Sequence, residues 1–142
     1  EKSHIPGGYA PLDTNTTAPF TAGTYQANLA RYIDGVREQG ATPILITALP
    51  RLVYGNDGQL SETHGGYIQA MKDVAAAKDC LLIDLNGYAK TEIGKLSQSD
   101  AEKLYNSGDT THLSAQGAAL FANYISDCID SFKLPLSAYR LK

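Results

Sequence analysis

Two short apolar runs constrain this chain most: Thr42-Pro43-Ile44-Leu45-Ile46-Thr47-Ala48-Leu49 and Cys80-Leu81-Leu82-Ile83-Asp84-Leu85. Each is too short for an ordinary helix and has almost no polar alternation, which predicts a strand buried on both faces. Amphipathic segments surround them. Thr24 is placed to cap a helix running to about Gln39, with Leu29, Ile33 and Val36 at three- and four-residue steps and Gly40 suited to its end. A second helix is predicted from His64 to about Lys78. A third segment, Asn86 to about Leu104, reads as helix in two pieces, the second starting at Ser99. Ser114 is placed to cap a last helix to about Phe132, and a tail ends at Lys142. Residues 1–22, rich in Gly, Pro and Thr, read as an exposed loop, and Asn56-Asp57-Gly58 as a turn within the loop 50–62. The alternation points to an α/β fold with a parallel sheet and helices on both faces.

Two strands alone make a poor parallel sheet. Both edges stay open, and parallel sheets occur almost only when well covered. Further strands are therefore expected upstream, and the chain is expected to be an incomplete domain that needs that segment to fold and act. The bulk numbers fit a globular protein: 142 residues, 43% hydrophobic, 19% charged and a net charge of -3. No basic block appears, which argues against nucleic acid or an anionic membrane as partner. No apolar run reaches the roughly 20 residues that span a bilayer. Cys80 and Cys128, the two cysteines, match no zinc or Cys-x-x-Cys spacing. Two separate buried thiols and one disulfide, the latter implying an oxidising compartment, are both open readings.

The segment richest in chemistry is Gly108-Asp109-Thr110-Thr111-His112-Leu113-Ser114-Ala115-Gln116-Gly117-Ala118, a loop leading into the last helix. An Asp and a His three apart in a turn can set the carboxylate against one imidazole nitrogen. That contact fixes the tautomer, stabilises the imidazolium and leaves the other nitrogen free as a general base. Ser114 would pin the loop by capping, and the small Gly117 and Ala118 would let the helix lie close to the sheet. Asp-x-x-His alone is a weak signal, and a surface turn with a capping Asp is its bland reading. A metal is not expected, because no third ligand stands at a suitable spacing, and no cofactor is expected.

Asp109-Thr110-Thr111-His112-Leu113-Ser114 resembles the last conserved block of the SGNH (GDSL) hydrolases. The rest of the chain, from about residue 20 to 130, resembles their rhamnogalacturonan acetylesterase-type branch. Ile46-Thr47-Ala48-Leu49-Pro50-Arg51 is similar to that branch's strand leading into an arginine-bearing loop. Asp57-Gly58-Gln59-Leu60 with Thr63-His64-Gly65-Gly66-Tyr67 is similar to the following turn and helix start, and Leu82-Ile83-Asp84-Leu85 to the next strand. The resemblance implies a three-layer α/β/α sandwich of flavodoxin-like type, with this chain as the C-terminal portion of one domain and residues 1–22 as a loop on its active-site side. It also implies a Ser-His-Asp triad in which Asp109 orients His112. The family's nucleophile lies in a Gly-Asp-Ser block, and Gly108-Asp109 is followed here by Thr110. Gly55-Asn56-Asp57 imitates a Gly-x-Asn-Asp block but falls after the wrong strand. No Gly-x-Ser-x-Gly elbow occurs either. The serine, and the Gly and Asn of the oxyanion hole, are thus expected from an N-terminal segment of the same protein.

The resemblance makes the expected reaction the deacetylation of a pectic polysaccharide such as rhamnogalacturonan, outside the cytoplasm. The alternatives are a broad-specificity lipase or esterase of the same superfamily, or a carbohydrate-binding scaffold without a nucleophile. Among the weaker candidates, Arg51 would bind a substrate carboxylate or pair with a nearby Asp. His64 would contact substrate or pack at a helix start. Asp84 reads as a helix cap before a site residue, and His4 as solvated. A sugar platform could use one of the tyrosines Tyr9, Tyr25, Tyr54, Tyr67 and Tyr88.

Overall fold

Helix starts follow the capping chemistry of the sequence. In the computed structural model, which describes residues 10–139, Thr24 accepts a hydrogen bond from the Ala27 amide and opens α1 (Tyr25–Glu38). Ser114 accepts from the Gly117 amide and opens α5 (Ala115–Ser131). Between them lie β1 (Ile44–Ile46), α2 (Tyr67–Ala77), β2 (Leu81–Ile83), α3 (Leu85–Gly94) and α4 (Gln98–Glu102), and a short 3-10 helix, Pro135–Tyr139, follows α5. The segment after β2 is in two pieces, as expected, but Ser97, not Ser99, caps the second by accepting from Asp100. The second helix begins three residues later than expected. Gly66 occupies its N-cap without a side-chain bond, and His64 and Gly65 (φ +53°) lie in the turn before it.

β1 pairs with β2 in a two-stranded parallel sheet, so the α/β class is borne out in incomplete form. The expectation of strands buried on both faces is corrected. Each strand has three residues, Ile44, Leu45, Leu81 and Leu82 are only half-buried, and Ile46 is 39% exposed. The reason is the sheet's narrowness: among the described residues each strand has one neighbour and one open edge.

The chain divides into two compact units. The first is Glu1–Thr47 with His64–Leu82. Here α1 packs on α2 through buried Ile33, Ala70, Val74 and Ala75. The described part of the N-terminal loop is largely exposed yet well tied. Buried Gln26 accepts from the Asp13 amide at 2.9 Å and donates to its carbonyl at 3.2 Å, while the Asp13 carboxylate accepts from Asn15, Thr21 and Thr24. The second unit is Ala48–Thr63 with Ile83–Lys142. Its core gathers Leu52, Ile83, Leu85, Ala89, Ile93, Leu104, Tyr105 and Phe121. Asp84 is indeed a cap, accepting from the Gly87 amide at 3.1 Å. Cys80, in the first unit, and Cys128, in the second, are free and half-buried, so the disulfide reading does not hold in this structure.

Candidate active site

The second unit brings the candidate pair, Asp109 and His112, together on the loop between α4 and α5. The loop leaves Tyr105 and returns at Leu113, and an antiparallel bridge joins those two residues. The Asn106 amide donates to the His112 carbonyl at 2.9 Å and the Ser114 amide to the Leu104 carbonyl at 3.0 Å, closing the base of the loop. Gly108 takes φ +74°, a left-handed conformation that a side chain resists, and so turns the chain into Asp109. The Asp109 amide then donates to the Asn106 carbonyl at 2.9 Å.

The Asp109 carboxylate organises the rest. Its Oδ1 accepts from the Thr111 amide at 2.6 Å and from the His112 amide at 3.0 Å, an Asx turn. Its Oδ2 lies 2.7 Å from His112 Nδ1. The Thr111 amide, the His112 ring and the His112 amide, in that order, hold the carboxyl down at a pKa of about 2. An ionised carboxylate can only accept, so Nδ1 is the ring nitrogen that carries the proton. Nε2 then presents its lone pair, and it has no hydrogen-bond partner among the described residues. The imidazole is 76% exposed and the Asp109 side chain 33%. The acid is thus turned inward onto its own loop, and the ring points outward with its basic nitrogen accessible.

Contacts that the sequence did not announce lock this loop. The buried Tyr105 hydroxyl donates to the Pro50 carbonyl at 2.7 Å, and the Leu52 amide donates to the Thr110 carbonyl at 2.8 Å. Burial pushes the Tyr105 phenol up to about 12, so it stays a neutral donor. These two bonds hold the residues on either side of Arg51 against the reactive loop. Buried Asn86 donates to the Ala48 carbonyl at 2.8 Å and fixes the start of the same segment. Tyr105 and Pro50 stand 55 residues apart in sequence, and no local motif marks such a pairing.

Behind the loop, α5 approaches the backbone closely at Gly117. A Cβ on Gly117 would lie 2.0 Å from the Leu104 carbonyl oxygen, so the close contact is with the backbone just after α4. Ser114 reinforces it, donating its hydroxyl to the Lys103 carbonyl at 2.6 Å.

The remaining candidates are dispersed. Arg51 is exposed, and among the described residues no ion pair engages it, so the pairing with an Asp is not seen. His64 is half-buried in the first unit, at the turn before α2. Gly55-Asn56-Asp57 forms the tip of a small hairpin, with Gly55 donating to the Gln59 carbonyl at 2.8 Å and Gly58 to the Gly55 carbonyl at 3.0 Å. His4 and Tyr9 lie outside the described residues. Among the described residues no group of three or more His, Cys, Asp or Glu could hold a metal ion, and no helix is long and apolar enough to cross a membrane.

An α/β chain that ends its reactive loop in a carboxylate-oriented imidazole fits the SGNH hydrolases, and comparison with known proteins bears out the resemblance to their rhamnogalacturonan acetylesterase-like branch. The probable rhamnogalacturonan acetylesterase YesY of Bacillus subtilis (strain 168) is 34% identical over 133 residues, covering 89% of this chain and 58% of that protein. Rhamnogalacturonan acetylesterase RhgT of the same organism is 30% identical over 133 residues, covering 84% and 56%. The chain therefore spans little more than half the length of these curated relatives. The crystal structure of the Bacillus subtilis protein YxiM superposes with a TM-score of 0.69 at 22% identity, over 81% of this chain and 33% of that one, a likeness of fold. No protein-family model matches the chain.

Proposed function

We propose that the complete protein is a carboxylic ester hydrolase that removes acetyl groups from a pectic polysaccharide of the rhamnogalacturonan kind. The observation that carries this reading is the 2.7 Å contact between Asp109 and His112 Nδ1, with Nε2 left open. The names of YesY and RhgT supply the substrate class.

In the proposed reaction, Nε2 of His112 takes the proton of a serine hydroxyl as the oxygen attacks the acetyl carbonyl. Asp109 stabilises the resulting imidazolium without accepting its proton. His112 then returns the proton to the departing sugar oxygen, leaving an acetyl-serine. Water, deprotonated by the same nitrogen, cleaves that ester and releases acetate. The serine and the Gly and Asn donors of the oxyanion hole would come from an N-terminal segment of the same protein. Arg51 would bind a galacturonate carboxylate beside the reacting sugar. A polymeric substrate also suits a secreted or extracytoplasmic protein.

His112→Ala in the complete protein tests the reading. Removing a triad member costs on the order of a thousandfold or more in turnover. Release of acetate from acetylated rhamnogalacturonan should fall by that factor while the unfolding midpoint stays near that of the unmodified protein. Activity within about tenfold of the unmodified protein would overturn the triad.

A further inference from the structure

Next to the reactive loop, and entirely within the second unit, is an open cleft of about 560 Å³. That volume lies in the range of small-molecule sites, roughly 300–1,000 Å³. Its floor is apolar, from buried Leu52 and Tyr105, and its walls come from Tyr54, Glu102, Asn106 and Asp109. His112 does not line it. The cleft therefore shares a wall with the reactive pair through Asp109 without containing the basic nitrogen. A polymer with one residue at His112 would have to run onward over neighbouring surface, and this cleft is such a surface.

We propose that the cleft is a second carbohydrate subsite that takes a neutral sugar residue, with the Tyr54 ring as its aromatic wall. The choice of a sugar rests on the esterase reading above. Tyr54 is singled out by the engagement of the other described candidates. Tyr25 and Tyr67 pack edge to face with ring centres 5.1 Å apart, and Tyr88 stacks on Tyr124 at 3.8 Å. Tyr54 has no ring partner among the described residues and borders the open space. Its backbone is also held firmly. It bridges Leu60 across the small hairpin, flanked by the bonds from Gly55 to Gln59 and from Ser61 to Val53, both at 2.8 Å. An aromatic ring on a fixed backbone, with two side-chain torsions to order, offers contact area at little entropic cost.

Charge selects the kind of sugar. Glu102 stands close enough to Tyr54 to help raise its phenol, after burial. The cation of the cleft, Lys103, is held by Asp100 at 2.7 Å. Arg51 does not line the cleft. Two carboxylates, Glu102 and Asp109, thus line the cleft against one ammonium, a net negative charge that disfavours a uronate and leaves carboxylate and amide acceptors for hydroxyl groups.

Binding to the complete protein, followed by NMR titration, tests this without any turnover. The probes are methyl rhamnoside, methyl galactoside and galacturonate. A neutral glycoside should saturate shifts of the Tyr54 and Asn106 amides, with galacturonate at least tenfold weaker there. Tyr54→Ala should weaken the neutral glycoside at least tenfold, and Tyr54→Phe should stay within threefold. If Tyr54→Ala does not fold, Glu102→Gln decides, because it should narrow the discrimination against galacturonate. No saturable shift with either neutral glycoside, equal or tighter binding of galacturonate, or indifference to the variant used overturns the subsite. The two readings fail separately. A protein that binds through Tyr54 but hydrolyses no ester loses only the esterase, and an active esterase with no Tyr54-dependent binding loses only the cleft.

Discussion

At the scale of the residue, the Asp109 carboxylate makes three contacts with two oxygens. Oδ1 shapes the backbone by accepting from Thr111 and His112, and Oδ2 sets the tautomer of the His112 ring. The bonds that build the turn are also those that keep the acid ionised, so folding and charge are linked. With the folded pKa at about 2 against an ordinary value of 3.8, the stabilisation is fully present above about pH 4 and is lost as pH falls toward 2. Amide shifts of Thr111 and His112, followed from pH 6 to pH 1.5, should therefore titrate together near 2. A midpoint near 4 would mean that the carboxylate is not engaged as described. Asp109 and His112 were legible in the sequence because their partnership is local, three residues within one turn. Tyr105 was not, because its hydroxyl reaches across 55 residues to a backbone carbonyl that no side-chain pattern reveals.

At the scale of the element, the reactive loop is only as well placed as the helices at its ends. Gly117 allows α5 to sit against the Leu104 carbonyl, and that same carbonyl accepts the Ser114 amide that closes the loop. Gly117→Ala would push a methyl carbon into that oxygen, and neither backbone can yield cheaply. Overpacking of this kind costs about 1–3 kcal/mol. Thermal unfolding should show the loss as a midpoint several degrees lower, and an unchanged midpoint would show that α5 shifts freely. Most helices could be read because caps are local: Thr24, Asp84 and Ser114 each bond an amide three residues on. The start of α2 was misplaced because Gly66 caps it without a side chain. The strands were drawn too long for a different reason. Apolar runs report that burial is wanted, whereas strand length and cover depend on neighbours, and Ile46 remains 39% exposed.

At the scale of the whole molecule, the reading is of one triad assembled from separate stretches of sequence. In that proposal this chain would supply the acid and the base, and it spans 58% and 56% of the relatives it resembles. The α/β class was legible from the alternation of apolar runs and amphipathic segments, while the substrate class came from resemblance, since no arrangement of residues here spells acetyl or sugar. The central claim is that Nε2 of His112 activates a serine supplied by an N-terminal segment. Covalent labelling of the complete protein by a fluorophosphonate tests it most directly, because only an activated serine reacts, and peptide mass spectrometry locates it. The account predicts one labelled serine in the segment preceding Glu1, with labelling lost in His112→Ala. Labelling that persists in that variant, or that falls on a serine within the 142 residues, would contradict it.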